Sequence, residues 1–521
     1  MEIFRQAKIA KHLREIYFVL VIVLALLLGF GPAHTARADT PLAGLQFLTQ
    51  IKIPNWTTTG AATQASTDVW SFDPSTNTLY FADRVNRGVS VVDTNTNTYL
   101  GTIVVPSCNV AGAVPGSCPS GVLVAPDLHK LVITDRNTVV GGVTIDLNHV
   151  FIYDLKLGQF TPPGGLTLPF GQDTDELDYD PLNKRAYVAN TAAPYFLTVV
   201  DLVNNAIVDQ IPLPSNPEQP RFNPVDGLIY QTIPDDAAPN TGQNSAVLRI
   251  DPTKTGAAAI VKTFVLGPSC LTRGIDIDPL TNTAIIGCAA PGPQVLMDLK
   301  GDMSKLTDFP DGVTGTDTLY FNSNLRRWYT ASSNNTFAVD NCPANAATPS
   351  VIPVVGVFAA PKKPNQLATL VGGECSGTNG HDIGVDPVHN QVFVGVRQLA
   401  DPASLSSGTP GVLVWHDPSP LAQPKLVEES GANLEGNVRV RILAGHVVRA
   451  RVATHGLPLG NPTLLNITTT IGNEVVDCEL TGQDDATCSG VLNGQALIGG
   501  TIFLATGGTP VAKGTIRVVD R

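Results

Sequence analysis

Charge is scarce in this chain of 521 residues, at 15% Asp, Glu, Lys and Arg, and aromatic residues are scarcer still, at 6%. Low charge beside 48 Gly and 40 Pro argues against long solvated helices and for many short strands joined by turns. No convincing amphipathic helix follows the N-terminus. There is no G-x-S-x-G elbow, no P-loop, no H-E-x-x-H, no C-x-x-C and no C-x-x-C-H. Those absences remove the usual signatures of serine hydrolases, nucleotide-binding loops, zinc peptidases, redox dithiols and attached haem. Aromatics this few, and buried by pattern, also argue against a sugar-stacking platform or a quinone dock.

What is present begins with an export segment. Arg5, Lys8, Lys11 and Arg14 precede an apolar run of 15 residues, IYFVLVIVLALLLGF (16–30), and Ala36-Arg37-Ala38 forms an A-x-A cleavage site before Asp39. The run is shorter than the roughly 20 residues a membrane span needs. Residues 1–38 therefore read as a signal peptide, with an uncleaved anchor as the alternative, and the chain is expected to be periplasmic or secreted, with no stable span once the signal is removed. The leader holds five basic and two acidic side chains, a net of +3, so its removal takes the formal charge from −12 to −15. An acidic exported chain argues against nucleic acid and anionic membrane as partners.

The eight cysteines agree with export. They fall as Cys108/Cys118, Cys270/Cys288, Cys342/Cys375 and Cys478/Cys488, and pairing neighbours is the connectivity that keeps every bridge local to a loop or hairpin. No histidine sits at zinc-ligand spacing from them.

A phrase then recurs along the chain. TDVWSFDPSTNTLYFAD (67–83), SGVLVAPDLHKLVITD (120–135), TDELDYDPLNKRAYVAN (174–190), PEQPRFNPVDGLIYQT (217–232), TRGIDIDPLTNTAIIG (272–287), TDTLYFNSNLRRWYTA (316–331) and HDIGVDPVHNQVFVG (381–395) each join two apolar runs through an Asp/Asn-Pro turn or its equivalent. The turn residues are Asp73, Ala125, Asp180, Asn223, Asp278, Asn322 and Asp386, spaced 52, 55, 43, 55, 44 and 64 apart. Such periods belong to repeat architectures whose units bury their faces against one another.

A third strand is read after each copy, at 88–96, 149–158, 196–205, 246–254, 294–301, 335–341 and 411–418, and a fourth is visible at 98–106 and 207–214. Four strands in seven units predict an all-β, seven-bladed propeller over 39–420. The last copy lacks a fourth strand, and LQFLTQIKIP (45–54) is expected to supply it and close the ring. After a linker at 421–436, residues 437–521 alternate in strand fashion without the repeat and predict a small sandwich-like β domain.

The D-P turns, YVAN at 187–190 and VVD at 91–93 and 199–201 resemble the YVTN-type repeat of bacterial and archaeal extracytoplasmic seven-bladed propellers, over roughly residues 45–420. That resemblance implies fold and export. It leaves function open, since the relatives include surface-layer and periplasmic proteins, and the wider propeller group includes lactonases and lyases.

Aligned on the turn, positions one and three residues before it are apolar in all copies, as packing between blades requires. Five before, the column reads Asp68, Ser120, Asp175, Glu218, Arg273, Asp317 and His381, and the adjacent column adds Glu176 and Asp382. In a propeller these converge on one channel mouth. Converging carboxylates repel unless a cation, a proton or Arg273 offsets them, so a divalent cation (Ca²⁺ or Mg²⁺) or a polar ligand fits there. The plain alternative is that they are solvated strand starts. Loops at 136–148, 234–246 and 397–411, with Asp83, Arg84, Asp135, Arg136 and Arg397, are expected to edge the same face. The leading expectation is a binding or interaction scaffold for an unknown protein or small molecule. The competing one is a metal-assisted lactonase or lyase using Glu176, Glu218, Asp317 and His381, with His381 as base.

Overall fold

The computed structural model of the chain describes residues 45–418 apart from 58–65, 115, 238–239, 310–312, 336–351, 362–365 and 400–408, together with the backbone of strands between 435 and 515. The expected leader and nearly all of the expected linker lie outside the described residues. No helix among the described residues is long and apolar enough to cross a membrane.

Each repeat is organised by its turn. Asp73, Asp180, Asn223, Asp278, Asn322 and Asp386 accept a hydrogen bond at 2.6–3.0 Å from the backbone N–H two residues on. This Asx turn needs a short acceptor side chain, which accounts for Asp or Asn there. The second repeat, with Ala125, replaces it by a 3-10 turn over Pro126–Leu128. Four residues past the turn position the backbone becomes left-handed in every copy, at Asn77, His129, Lys184, Gly227, Asn282, Arg326 and Asn390, with φ of 51–73°. The reversal is tight, so the flanking apolar runs pair as antiparallel strands.

Sequential pairing then builds four-stranded antiparallel sheets. The first contains Thr67–Asp73, Thr78–Asp83, Gly88–Asp93 and Thr98–Val104, in that order. The pattern recurs in sheets that begin with Thr174–Asp180, Pro220–Asn223, Thr272–Asp278 and Leu319–Asn322, and in the sheet that begins with Val122–Ala125 two short strands, Gln159–Phe160 and Leu166–Thr167, share the outer position. The last sheet begins with Gly384–Asp386, and its outer strand is the N-terminal Gln46–Ile51, paired antiparallel with Gly411–His416. The expected clasp is thus present. First strands of successive sheets adjoin in cyclic order, that of the last sheet meeting that of the first, which is a β-propeller arrangement.

Packing between sheets follows the apolar columns. Trp70, Val122, Leu177, Ile275, Leu319 and Ile383 are all at most 3% exposed, and Trp70 stacks on Phe81 with ring centroids 4.2 Å apart. Each side chain of this size contributes roughly 1.5–3 kcal/mol when removed from water. Cys108–Cys118 and Cys270–Cys288 are disulfides, and Cys375 is disulfide-bonded, with Cys342 outside the described residues. Bridges of this kind suit an oxidising compartment.

Three expectations change. The third strand of the sixth sheet is Ile352–Ala359, paired with Arg327–Asn335, and not 335–341. The apolar run IPVVGVFA supplies a longer continuous ladder than NTFAVDN can. Residues 136–148 are not an open loop: Asn137–Val140 and Val143–Asp146 form a hairpin turned by Gly141 and Gly142, with φ of 59° and 82°. Ala113–Val114 adds to that hairpin. Finally, the strands of the C-terminal region, expected to be sandwich-like, hydrogen-bond from Glu435–Leu443 to Thr509–Thr515 into one seven-stranded antiparallel sheet, in which Cys478 faces Cys488 in register.

Candidate functional site

The column five residues before the turn does come together. Asp68, Asp175, Glu218, Arg273, Asp317 and His381 line one cavity of about 460 Å³, with Glu176 beneath them. Ser120 lies between sheets, its hydroxyl 3.1 Å from Asp68 Oδ2 and 2.6 Å from Asp175 Oδ1, so it donates to one of the two at a time. A β-bulge explains how this column reaches the mouth. Strand register shifts between Thr67 and Trp70, between Thr174 and Leu177, and between Thr272 and Ile275, so two residues oppose one on the neighbouring strand. Such a bulge re-aims side chains, here Asp68, Asp175 with Glu176, and Arg273.

The mouth is not a ring of bare acids. Arg84 pairs with Asp68, Arg136 pairs with Asp175 at 3.1 Å, and Arg273 pairs with Glu218 and, at 2.7 Å, with Asp236. Arg84 and Arg136 stand where the loops were expected to bring them. Asp83 and Asp135 do not: both are wholly buried, Asp83 accepting from Trp56 Nε1 at 3.0 Å and Asp135 lying 3.0 Å from His149 Nδ1. Their work is to anchor loop backbones. Asp236 was missed by alignment because it comes from a loop of variable length.

Six carboxylates (Asp68, Asp175, Glu176, Glu218, Asp236, Asp317) therefore share the cavity with three arginines (Arg84, Arg136, Arg273) and His381. Burial, followed by the charges of Glu218 and Asp175, holds the Glu176 carboxyl well above its usual range. Glu176 is 4% exposed and one of its oxygens has no hydrogen-bond partner. Burial also pushes Glu218 up to about 7 against the pull of Arg273.

Asp382 does not line the open cavity. It is 1% exposed, below the rim, and neither carboxylate oxygen makes a hydrogen bond of ordinary geometry. His381 Nε2 stands 3.1 Å from its Oδ2. His381 Nδ1 lies 2.8 Å from the carbonyl of Asn379, which can only accept, so Nδ1 carries the proton. One ligand atom each from Asp68, His381 and Asp382 lies within 4.8 Å of the others. Burial lowers the pKa of His381 and raises that of Asp382 well above the ordinary value.

A second polar layer sits deeper, around a cavity of about 140 Å³, at positions two before the turn. Arg221 lies 3.2 Å from both Asp178 and Asp276, and its guanidinium is 5.0 Å from the ring centre of Tyr320. The sequence signal was there, since that column reads Ser71, Leu123, Asp178, Arg221, Asp276, Tyr320 and Gly384.

No family model matches the chain, and no curated protein does. Among solved structures it is similar to the hydrazine synthase of Kuenenia stuttgartiensis, with a TM-score of 0.45 and 14% identity over 64% of this chain and 92% of that one. It is also similar to a chain in the crystal structure of the mitotic checkpoint complex, with a TM-score of 0.44 and 10% identity over 66% and 86%.

Proposed function

We propose that the chain is an exported binding scaffold: a seven-bladed propeller of YVTN type over 39–420, joined through 421–436 to a small β domain at 437–521, whose mouth receives a positively charged group of a ligand or partner protein. One observation carries this reading. Setting aside Glu176, whose carboxyl burial holds well above its usual range, five carboxyl groups face three arginines in the mouth cavity, so its polar lining is left with excess negative charge. At 4 Å and an effective dielectric near 20, one unit charge of opposite sign gains about 4 kcal/mol, well above the roughly 0–1 kcal/mol of an exposed pair. The cavity is the size of a small-molecule site.

The test is calorimetric titration and thermal unfolding of the chain, produced with its own leader, against Ca²⁺, Mg²⁺, Mn²⁺, Zn²⁺ and butane-1,4-diamine. At 100 times Kd a bound ligand raises stability by about 2.7 kcal/mol. The expected result is saturable stabilisation by at least one of these cations, lost when Asp175→Asn, Glu218→Gln and Asp317→Asn are combined. No saturable binding by any of them would overturn the reading.

A metal-assisted lactonase or lyase is the second reading. The buried Glu176, whose carboxyl burial holds well above its usual range, favours it together with the three-residue cluster of Asp68, His381 and Asp382, since a carboxyl with a raised pKa is suited to act as a general acid. Turnover of a lactone panel, abolished by Glu176→Gln, is its signature.

A further inference from the structure

We propose that Asp68, His381 and Asp382 form a site for a divalent first-row transition ion such as Zn²⁺ or Mn²⁺, at one side of the mouth. The proposal rests on the acidic-mouth reading and narrows it from any cation to one held by an imidazole.

Three observations carry it. The first is proximity: one oxygen or nitrogen from each residue lies within 4.8 Å of the other two. Ligand bonds of about 2.0–2.2 Å need neighbouring donors roughly 3–4 Å apart, so a small inward movement closes the set. The second is Asp382, which is 1% exposed, faces the cluster and has no ordinary hydrogen bond to either oxygen. A buried carboxylate left in that state is costly, and a coordinated cation is one of the few arrangements that satisfies both oxygens.

The third is the imidazole. Nδ1 donates to the Asn379 carbonyl at 2.8 Å, which leaves Nε2 pointing a lone pair toward Asp382 Oδ2 at 3.1 Å. A lone pair facing a carboxylate oxygen is repulsive unless a proton or a metal ion lies between them. An Nδ1–H···O=C bond is also the arrangement that orients metal-ligating histidines.

The donor set selects the ion. One imidazole with two carboxylates suits Zn²⁺, Mn²⁺, Fe²⁺ or Co²⁺, whereas Ca²⁺ and Mg²⁺ favour oxygen donors alone. Arg84 pairs with Asp68 through Oδ2, so Oδ1 is the oxygen that this ion pair leaves for the ion. Three protein ligands leave coordination positions free toward the cavity, where a ligand group or water can bind.

The experiment uses the whole chain, chelator-stripped, titrated with Mn²⁺ and Zn²⁺ in competition with a chromophoric chelator, and with Ca²⁺ and Mg²⁺ separately. One Zn²⁺ or Mn²⁺ per chain is expected. Loss of a direct ligand in His381→Gln or Asp382→Asn is expected to weaken binding by on the order of 100-fold or more, since even orienting partners are worth 10–100-fold. Unchanged thermal unfolding of the stripped variants shows that they fold. Pulsed electron resonance of the Mn²⁺ form should show coupling to an imidazole nitrogen that disappears in His381→Gln. If Zn²⁺ and Mn²⁺ bind with no loss in either variant, or only a shared proton links His381 and Asp382 and neither ion binds, the proposal is wrong. In that second case, binding of Ca²⁺ or butane-1,4-diamine that is lost in the Asp175, Glu218 and Asp317 variant leaves the acidic-mouth reading intact. If none of these cations binds, both fail.

Discussion

Replacing Arg221 by Met tests the deeper polar layer. The guanidinium stands 3.2 Å from Asp178 and Asp276, and its Nε donates to the Ile275 carbonyl at 3.1 Å. Both acids are also fixed by backbone N–H groups, Phe222 to Asp178 and Phe321 to Asp276, each at 2.6 Å. Met fills much of the volume but leaves two carboxylates facing one channel without a cation. Removing one partner of a buried ion pair costs about 3–5 kcal/mol. The three side chains remain 12–14% exposed to the channel, which puts the expected loss at the lower end, about 3 kcal/mol. Urea unfolding of the oxidised chain reads this as a lower midpoint at unchanged slope. The loss should be larger at pH 8 than at pH 5, because proton uptake relieves the repulsion. Adding Asp178→Asn and Asp276→Asn should recover at least half of it, since the amides keep the backbone bonds without the charge. A loss below about 1 kcal/mol for Arg221→Met alone would refute the network as a stabilising unit.

Asp276 itself gives a pH prediction. Burial outweighs Arg221 and pushes its carboxyl from 3.8 up to about 6, with Asp178 adding to the rise. The folded state thus holds this proton more tightly than the unfolded chain. The resulting stability is present below pH 3.8, falls as pH rises and is gone above about 6. Stability of wild type minus that of Asp276→Asn should therefore drop by about 3 kcal/mol across that window, at about 1.4 kcal/mol per unit. A flat difference contradicts the assignment. Gly274→Ala should destabilise by about 1–3 kcal/mol through overpacking. An added Cβ would lie 2.6 Å from the Asp317 carbonyl, whereas Gly372→Ala meets nothing within 4 Å and should be neutral. Equal effects at the two glycines in thermal unfolding would count against close strand packing at the mouth.

The repeat and its clasp were legible because the turn chemistry is local. Six of the seven turn residues are Asp or Asn because the side chain must reach an N–H two residues away, and that demand is visible in any single copy. The sixth sheet was misread for the complementary reason. Its third strand is separated from the second by an insertion, and the short phrase AVD at 338–340 imitates the VVD of other copies more closely than VVGVFA does. The hairpin at 136–148 was hidden by composition, since Gly141-Gly142 between Thr and Val residues reads equally as a flexible loop until its pairing is known.

The site shows a limit of column reading that has a structural cause. Strict alternation puts the residues one, three and five before the turn on a single face of the strand. The first two of these columns do pack between sheets, yet the third lines the mouth. What separates them is the bulge, which shifts the phase of the strand by one residue in the sheets of Asp68, Asp175 and Arg273. A bulge is a property of two paired strands and leaves no fixed mark in either sequence. The change from apolar to charged along the column was therefore the only trace of it, and it was enough to find the rim. It could not reveal that Glu176 and Asp382, one position further on, are carried below the rim into burial. That displacement divides the carboxyls of the mouth by environment: Asp68, Asp175 and Glu218 at the rim pair with Arg84, Arg136 and Arg273, whereas burial raises the pKa of Glu176 and Asp382 below it.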